Sequence, residues 1–365
     1  MARSFLEENS DSEAIRRAME SDLGWDPALW AQLAGELGWT AVHIPEAYGG
    51  LGLGHVELIA LMEIMGETLT CSPFFSSVVL GTHLVLEAGQ EEQKQAILPP
   101  VAEGESRLAV AFAHLKGGAG PEDVTATVER EGEAFRLQGQ YGFVIDGHSA
   151  DQLIVAARSP GSEGLSGLSL FLIPGDTPGL ERRALPTMDQ TRRLAQVDLS
   201  GVVVPAEALL GEWESGGPAL ERALQLAAIA LAAEQMGGAQ ACLDMSVAYA
   251  TEREQFGRAI GSFQAIKHKC ADMMVLVESA RSAIYYAACA ADEGGDELPA
   301  CAALAKAYSS DAYFQCAAEA IQIHGGVGFT WEYDVHLHFK RARSSEQLLG
   351  DPPYHRERVA REIGL

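Results

Sequence analysis

The sequence predicts an α+β fold in three blocks. An N-terminal helical domain covers residues 1–106, a central β barrel or sandwich covers 107–213, and a C-terminal four-helix bundle covers 214–365. Three observations predict it. Apolar residues recur three and four apart at both ends of the chain, and alternation replaces that spacing in the middle. Clusters of Gly, Pro, Ser and Asp mark the turns. Strands gathered in one central block suggest a small sheet domain with helical layers before and after it.

The elements follow in order. Glu13 to Met19 and Ala28 to Ala34 carry helical periodicity, and Pro45-Glu46-Ala47-Tyr48-Gly49-Gly50 breaks it. Residues 126–130, 135–139, 152–155, 169–173 and 202–204 read as short strands rich in Val, Ile, Leu and Phe. From about residue 216 the helical signal returns, and Leu226 to Ala233 holds no polar side chain, which predicts a helix buried on all sides. The loop Asp292 to Pro299 separates two further long helices.

Composition bounds the function. A chain of 365 residues, 47% apolar, buries a large core. A net charge of −25 opposes nucleic acid and anionic membranes, whose phosphates it repels. No unbroken apolar run spans a bilayer, and the N-terminus lacks a secretory apolar core, so a cytoplasmic location is expected. Six scattered cysteines read as buried free thiols. His336 and His338 stand two apart on a predicted helix, facing different ways, so no metal site is expected. Lys340, Arg341 and Arg343 read as a solvated face, or as a cluster that receives the phosphates of a ligand.

The most informative stretch is Gln322-Ile323-His324-Gly325-Gly326-Val327-Gly328-Phe329, with Arg253-Glu254-Gln255-Phe256-Gly257 about 70 residues before it. Paired glycines let a backbone turn approach a ligand closely. The arginine offers a fork of donors suited to phosphate oxygens. Read as helical, Arg253 and Phe256 share one face. The bland alternatives are an intrahelical ion pair with a core phenylalanine, and a helix ending in a glycine cap. Gly49 to Gly54 lacks the dinucleotide spacing, and Lys116 to Gly120 lacks a P-loop ending.

At these residues the chain resembles the acyl-CoA dehydrogenase family of flavoenzymes. The likeness runs from Val42-His43-Ile44-Pro45-Glu46-Ala47-Tyr48-Gly49-Gly50 to Arg358. It implies that Arg253 and Phe256, continued by Phe263 and Gln264, hold FAD. It further implies that Gln322, Gly325 and Gly326 reach the FAD of a neighbouring subunit. Gly328-Phe329-Thr330-Trp331-Glu332 is similar to a bacterial subgroup acting on bulky or steroid-derived acyl-CoA esters, some of whose members pair unlike subunits. The segment matching the family's flavin-ring pattern is Phe143-Val144-Ile145, where Phe143 still offers stacking. Arg192 and Arg193 are candidates for binding CoA.

Dehydrogenation of a thioester needs a carboxylate in a dry site to take the α-proton. The family's usual glutamate position is Leu349, before Gly350, and its minority position is Ala227. Neither residue accepts a proton. Glu234, seven residues past Ala227 on the same helix face, is the first substitute, unless it sits at a polar edge or in an ion pair. Asp351 is the second.

The resemblance therefore implies FAD-dependent α,β-dehydrogenation of an acyl-CoA, in fatty acid or steroid side-chain degradation. Electrons would pass to an electron-transfer flavoprotein. The rival readings are a non-catalytic subunit completing a partner's FAD site, or a flavin oxidase or monooxygenase on the same fold. The uninterrupted apolar helix predicts a homotetramer, or a heterotetramer with a similar chain.

Overall fold

The computed structural model describes residues 2–365. Six helices open the chain: α1 (Ala2–Asn9), α2 (Ser12–Glu20), α3 (Pro27–Ala31), α4 (His55–Glu67), α5 (Thr82–Ala88) and α6 (Glu91–Ala102). Eight strands follow: β1 (Leu108–Ala111), β2 (Thr127–Glu131), β3 (Ala134–Ile145), β4 (Gln152–Arg158), β5 (Leu168–Pro174), β6 (Leu180–Ala184), β7 (Leu194–Pro205) and β8 (Leu209–Leu210). Then come α7 (Gly216–Glu252), the short strands β9 (Glu254–Gln255) and β10 (Arg258–Ala259), α8 (Gln264–Glu293), α9 (Leu298–His324), α10 (Val335–Gln347) and α11 (Pro352–Glu362).

Compactness divides the chain differently from the three expected blocks. One unit comprises the chain up to Glu20, His55–Cys71 and Ala228–Leu365; the other comprises Ser21–Gly54 and Ser72–Ala227. Two segments of the N-terminal helical block, the chain up to Glu20 and His55–Cys71, thus fall in the same compact unit as the C-terminal helices. In the first unit α4 crosses α7 at backbone contact. A Cβ on Gly66 would lie 2.0 Å from the Glu234 carbonyl oxygen, and one on Gly237 would lie 1.8 Å from that of Glu63. Only paired glycines permit that approach. Nearby, Ile15, Ala18 and Met19 of α2 pack with Leu69, Cys71 and Leu337 of α10. These contacts draw α2 and α4 to the C-terminal helices.

In the second unit the eight strands form one sheet in the order β6-β7-β3-β2-β4-β5-β8, with β1 parallel to β4. Phe135 anchors its core, edge-on to Phe171 at 5.2 Å and stacked on Trp213 at 5.0 Å. The buried Tyr141 hydroxyl donates to the Ala156 carbonyl at 2.9 Å, so its burial leaves no orphan polar atom.

The stretch from Leu226 to Ala233 lies wholly buried within α7, at most 3% exposed. Its apolar surface is covered by the chain itself, so it supplies no surplus for subunit contacts. By length and composition α7 is apolar enough to cross a membrane, but 89% of its apolar window is buried in the fold. None of the six cysteines is in a disulfide; four are buried, whereas Cys270 is half-buried and Cys289 exposed.

Candidate functional site

In the first unit the Arg253 motif is not helical. α7 stops at Glu252, and residues 254–259 turn back as an antiparallel hairpin pairing Gln255 with Arg258. Phe256 (φ 56°) and Gly257 (φ 75°) occupy the two-residue turn, both in the left-handed region that such a hairpin loop demands. The expected shared helix face is thus replaced by a hairpin tip, because Phe256-Gly257 suits a tight turn better than a helix interior. The turn leaves the Phe256 ring 91% exposed, edge-on to Phe263 at 6.1 Å, with the Arg258 guanidinium 4.1 Å from the Phe263 ring centre. Arg253 is exposed, and its guanidinium has no partner among the described residues. Gln264 is exposed at the start of α8.

The second motif sits at the end of α9. Gln322 is exposed, His324 is the last helical residue, and Gly325 (φ 64°, ψ −141°) takes a conformation that a side chain would strain. Gly325 is therefore a helix cap as well as a candidate ligand contact. A Cβ on Gly325 or Gly326 would meet no atom within 4 Å, so the turn is an open cradle of backbone. An exposed strained aromatic, an unpaired guanidinium and an open glycine turn suit a pyrophosphate and a flat ring, which is what FAD presents.

The base candidates fare differently. Glu234 is 4% exposed, and Arg341 of α10 donates to its carboxylate at 2.7 Å. A carboxylate engaged by a buried guanidinium is not open to a substrate proton, so the expectation of a lone, desolvated Glu234 base is corrected to a buried ion pair. Arg341 is likewise no part of a solvated basic face. Asp351 caps α11, accepting the Tyr354 amide at 2.9 Å ahead of Pro352. That capping role counts against it as a base.

The usual base position survives in shape only. Leu349 is 6% exposed with φ 57°, and Gly350 follows at φ 103°. The fully buried Lys306 of α9 donates to the carbonyls of Glu346 at 3.2 Å and Gly350 at 3.1 Å, and to the Ser310 hydroxyl at 2.9 Å. His355 lies 2.9 Å from the Leu349 carbonyl through Nε2, which must carry the hydrogen because a carbonyl only accepts. Burial pushes Lys306 down to about 7, and burial with Lys306 nearby pushes His355 down to about 3. Ser310 continues the network through Gln235 to Ser345. The only trace of this scaffold in the sequence is a single lysine in an alanine-rich helix.

In the second unit Phe143 stands where the β3–β7 register slips, with φ 55° and its ring 43% exposed. Ile145, 5% exposed and paired with Leu194, belongs to the core. Arg192 lies over the Phe75 ring at 5.1 Å. Arg193 donates to the Ser21 carbonyl at 2.8 Å, and its Cγ fills the space where a Cβ on Gly24 would lie. Arg193 is thus a brace for the turn before Trp25, not an open cation for CoA. Among the described residues no three His, Cys, Asp or Glu side chains gather in a way that holds a metal.

Two family profiles match the chain: "Acyl-CoA dehydrogenase, N-terminal domain" over residues 1–105 and "Acyl-CoA dehydrogenase, C-terminal domain" over residues 214–364. The acyl-CoA dehydrogenase IpdE2 of Mycolicibacterium smegmatis is 36% identical over 359 residues, which is 98% of this chain and 95% of the relative. The butyryl-CoA dehydrogenase of Megasphaera elsdenii superposes with a TM-score of 0.91 at 28% identity, covering 99% of this chain and 96% of that one. A chain of the ChsE4–ChsE5 complex from Mycobacterium tuberculosis superposes with a TM-score of 0.89 at 28% identity, covering 99% and 94%.

Proposed function

The chain belongs to the acyl-CoA dehydrogenase family, and on that premise we propose that it is the FAD-holding subunit of a two-chain enzyme oxidising a CoA thioester at Cα–Cβ. FAD would supply the acceptor for the β-hydrogen and its electron pair, with an electron-transfer flavoprotein as the onward acceptor. Arg253 would supply a cation for the FAD phosphates, and the Gly325–Gly326 turn would reach the FAD of a neighbouring subunit; in the second unit Phe143 would offer a ring for stacking. The α-proton must leave to a carboxylate, which in this reading comes from the unlike chain.

One observation carries the reading. The Leu349–Gly350 turn is held in place by Lys306 and His355 but presents a buried leucine, while Glu234 is ion-paired and Asp351 caps a helix. The likeness to a chain of the ChsE4–ChsE5 complex supports pairing with an unlike chain. The Gly328–Glu332 wording favours a bulky, steroid-derived acyl group.

The test is expression alone and together with a similar chain encoded beside it, reading the flavin-to-protein ratio and the bleaching of flavin colour by an acyl-CoA panel. Little flavin from the chain alone, with both signals restored by co-expression, is the expected result. A fully flavinated homotetramer that bleaches with acyl-CoA would overturn the unlike-chain reading.

A further inference from the structure

The two cofactor motifs are joined by a cluster of three rings, of which only His324 belongs to a motif. Tyr249, in the last turn of α7, stacks on His324, the last residue of α9, with ring centres 4.4 Å apart and planes 23° from parallel. Tyr333 closes the group edge-on, 5.7 Å from His324 and 6.2 Å from Tyr249. We propose that His324, clasped by Tyr249 and Tyr333, is a positioning residue that locks the ends of α7 and α9 into one edge, so that Arg253 and the Gly325–Gly326 turn act together on one FAD, that of a neighbouring subunit. This rests on the FAD-holding role proposed above.

The placement carries the inference. The Tyr249 carbonyl accepts the Arg253 amide at 2.9 Å, so Arg253 lies one helical turn, about 6 Å, along the axis from the stack. His324 directly precedes Gly325, and any tilt of its ring redirects the glycine turn. The imidazole has little freedom: Nδ1 lies 2.7 Å from the Ala320 carbonyl, so Nδ1 carries the hydrogen. Tyr333 is held from a third side. Arg16 of α2 donates to the Trp331 carbonyl and to Asp334, each at 2.7 Å, and Ser12 donates to Asp334 at 2.8 Å.

A core role alone describes the cluster poorly. Tyr249 and Tyr333 are only half-buried, and the residues that leave the cluster on either side, Arg253 and Gly325, are exposed. Offset-stacked and edge-to-face rings are directional contacts. They fix the relative orientation of two helix ends more strictly than aliphatic packing does.

The experiment uses the protein as purified, with its partner chain if it has one. Apo-protein is titrated with FAD, following quenching of flavin fluorescence, and the thermal midpoint of the apo form is recorded alongside. His324→Asn keeps a donor near Ala320 but removes the stack; His324→Phe keeps the stack but removes the donor. We expect Asn to weaken FAD binding by roughly tenfold or more and Phe to retain most of the affinity. Tyr249→Leu, at a half-buried position, reproduces the Asn result if that variant folds poorly. Unchanged FAD affinity in His324→Asn and Tyr249→Leu, with FAD lost from Arg253→Ala, overturns the positioning role and leaves the cofactor assignment standing. Unchanged affinity in Arg253→Ala overturns the assignment itself, and the positioning role with it. Equal loss in Asn and Phe, tracking the thermal midpoint, reduces His324 to a structural residue.

Discussion

Removing the Glu234 carboxylate tests the reassignment of that residue from base to buried ion-pair member. The side chains of Glu234 and Arg341 are 5% and 3% exposed, and their closest N···O distance is 2.7 Å. At an effective dielectric of about 20, two unit charges at that distance attract by roughly 6 kcal/mol, most of which offsets the desolvation of both groups. The net value of the pair is therefore small, yet breaking it is costly. Glu234→Gln leaves the guanidinium dehydrated and uncompensated, at about 3–5 kcal/mol. The double variant Glu234→Gln/Arg341→Met removes both charges and should recover most of that loss. Urea unfolding of the wild type, both single variants and the double variant measures the coupling directly. A coupling below about 0.5 kcal/mol would refute the ion pair as a structural unit. Unaltered stability combined with a hundredfold loss of flavin reduction would restore Glu234 as the base.

Two other perturbations bear on the remaining assignments. Arg253→Ala should lose FAD on dialysis while the fold survives, because charge-assisted phosphate bonds contribute on the order of 1.5–3 kcal/mol; an unchanged flavin-to-protein ratio counts against the assignment. Lys306 should make stability rise with pH. Its folded-state value is pushed down to about 7 from the ordinary 10.5, so between those pH values the unfolded chain binds the extra proton and raising pH favours the fold. The gap in unfolding free energy between wild type and Lys306→Met should therefore shift in favour of wild type across that window and level off outside it. A gap that stays flat through it would mean the ammonium's three oxygen partners fully offset its burial.

Much of the fold was legible because periodicity reports burial. The stretches read as strands at residues 126–130 and 169–173 overlap β2 and β5, and the unbroken apolar run inside α7 is buried on all sides. β1 escaped because Leu108 to Ala111 are all buried and show no alternation, and β6 because Leu180-Glu181-Arg182-Arg183-Ala184 is a polar edge strand. The Arg253 motif stands on a hairpin and not on the helix expected of it. Phe256-Gly257 is a turn dipeptide whose positive φ values no spacing rule reveals. The Glu234–Arg341 pair left a trace in both partners. Glu234 follows eight apolar residues, and Arg341 lies four beyond the buried Leu337 and four before the buried Ser345. A charge inside a buried helix face needs a partner, and here each is the other's.

The scaffold behind Leu349 gives the missing base its meaning. A buried ammonium and a buried imidazole are expensive groups to keep in a helical core, since each must be dehydrated. Both are used on the same short turn, Lys306 through the Glu346 and Gly350 carbonyls and His355 through the Leu349 carbonyl. If the turn were a vestige, apolar packing would hold the ends of α10 and α11 together at lower cost. Its backbone is instead fixed at two successive positive φ values, one of them on a leucine, where strain must be offset by surrounding bonds. The conformation is maintained while the proton acceptor is not. That combination supports the proposed reading, in which a carboxylate of an unlike chain takes the α-proton that Leu349 cannot.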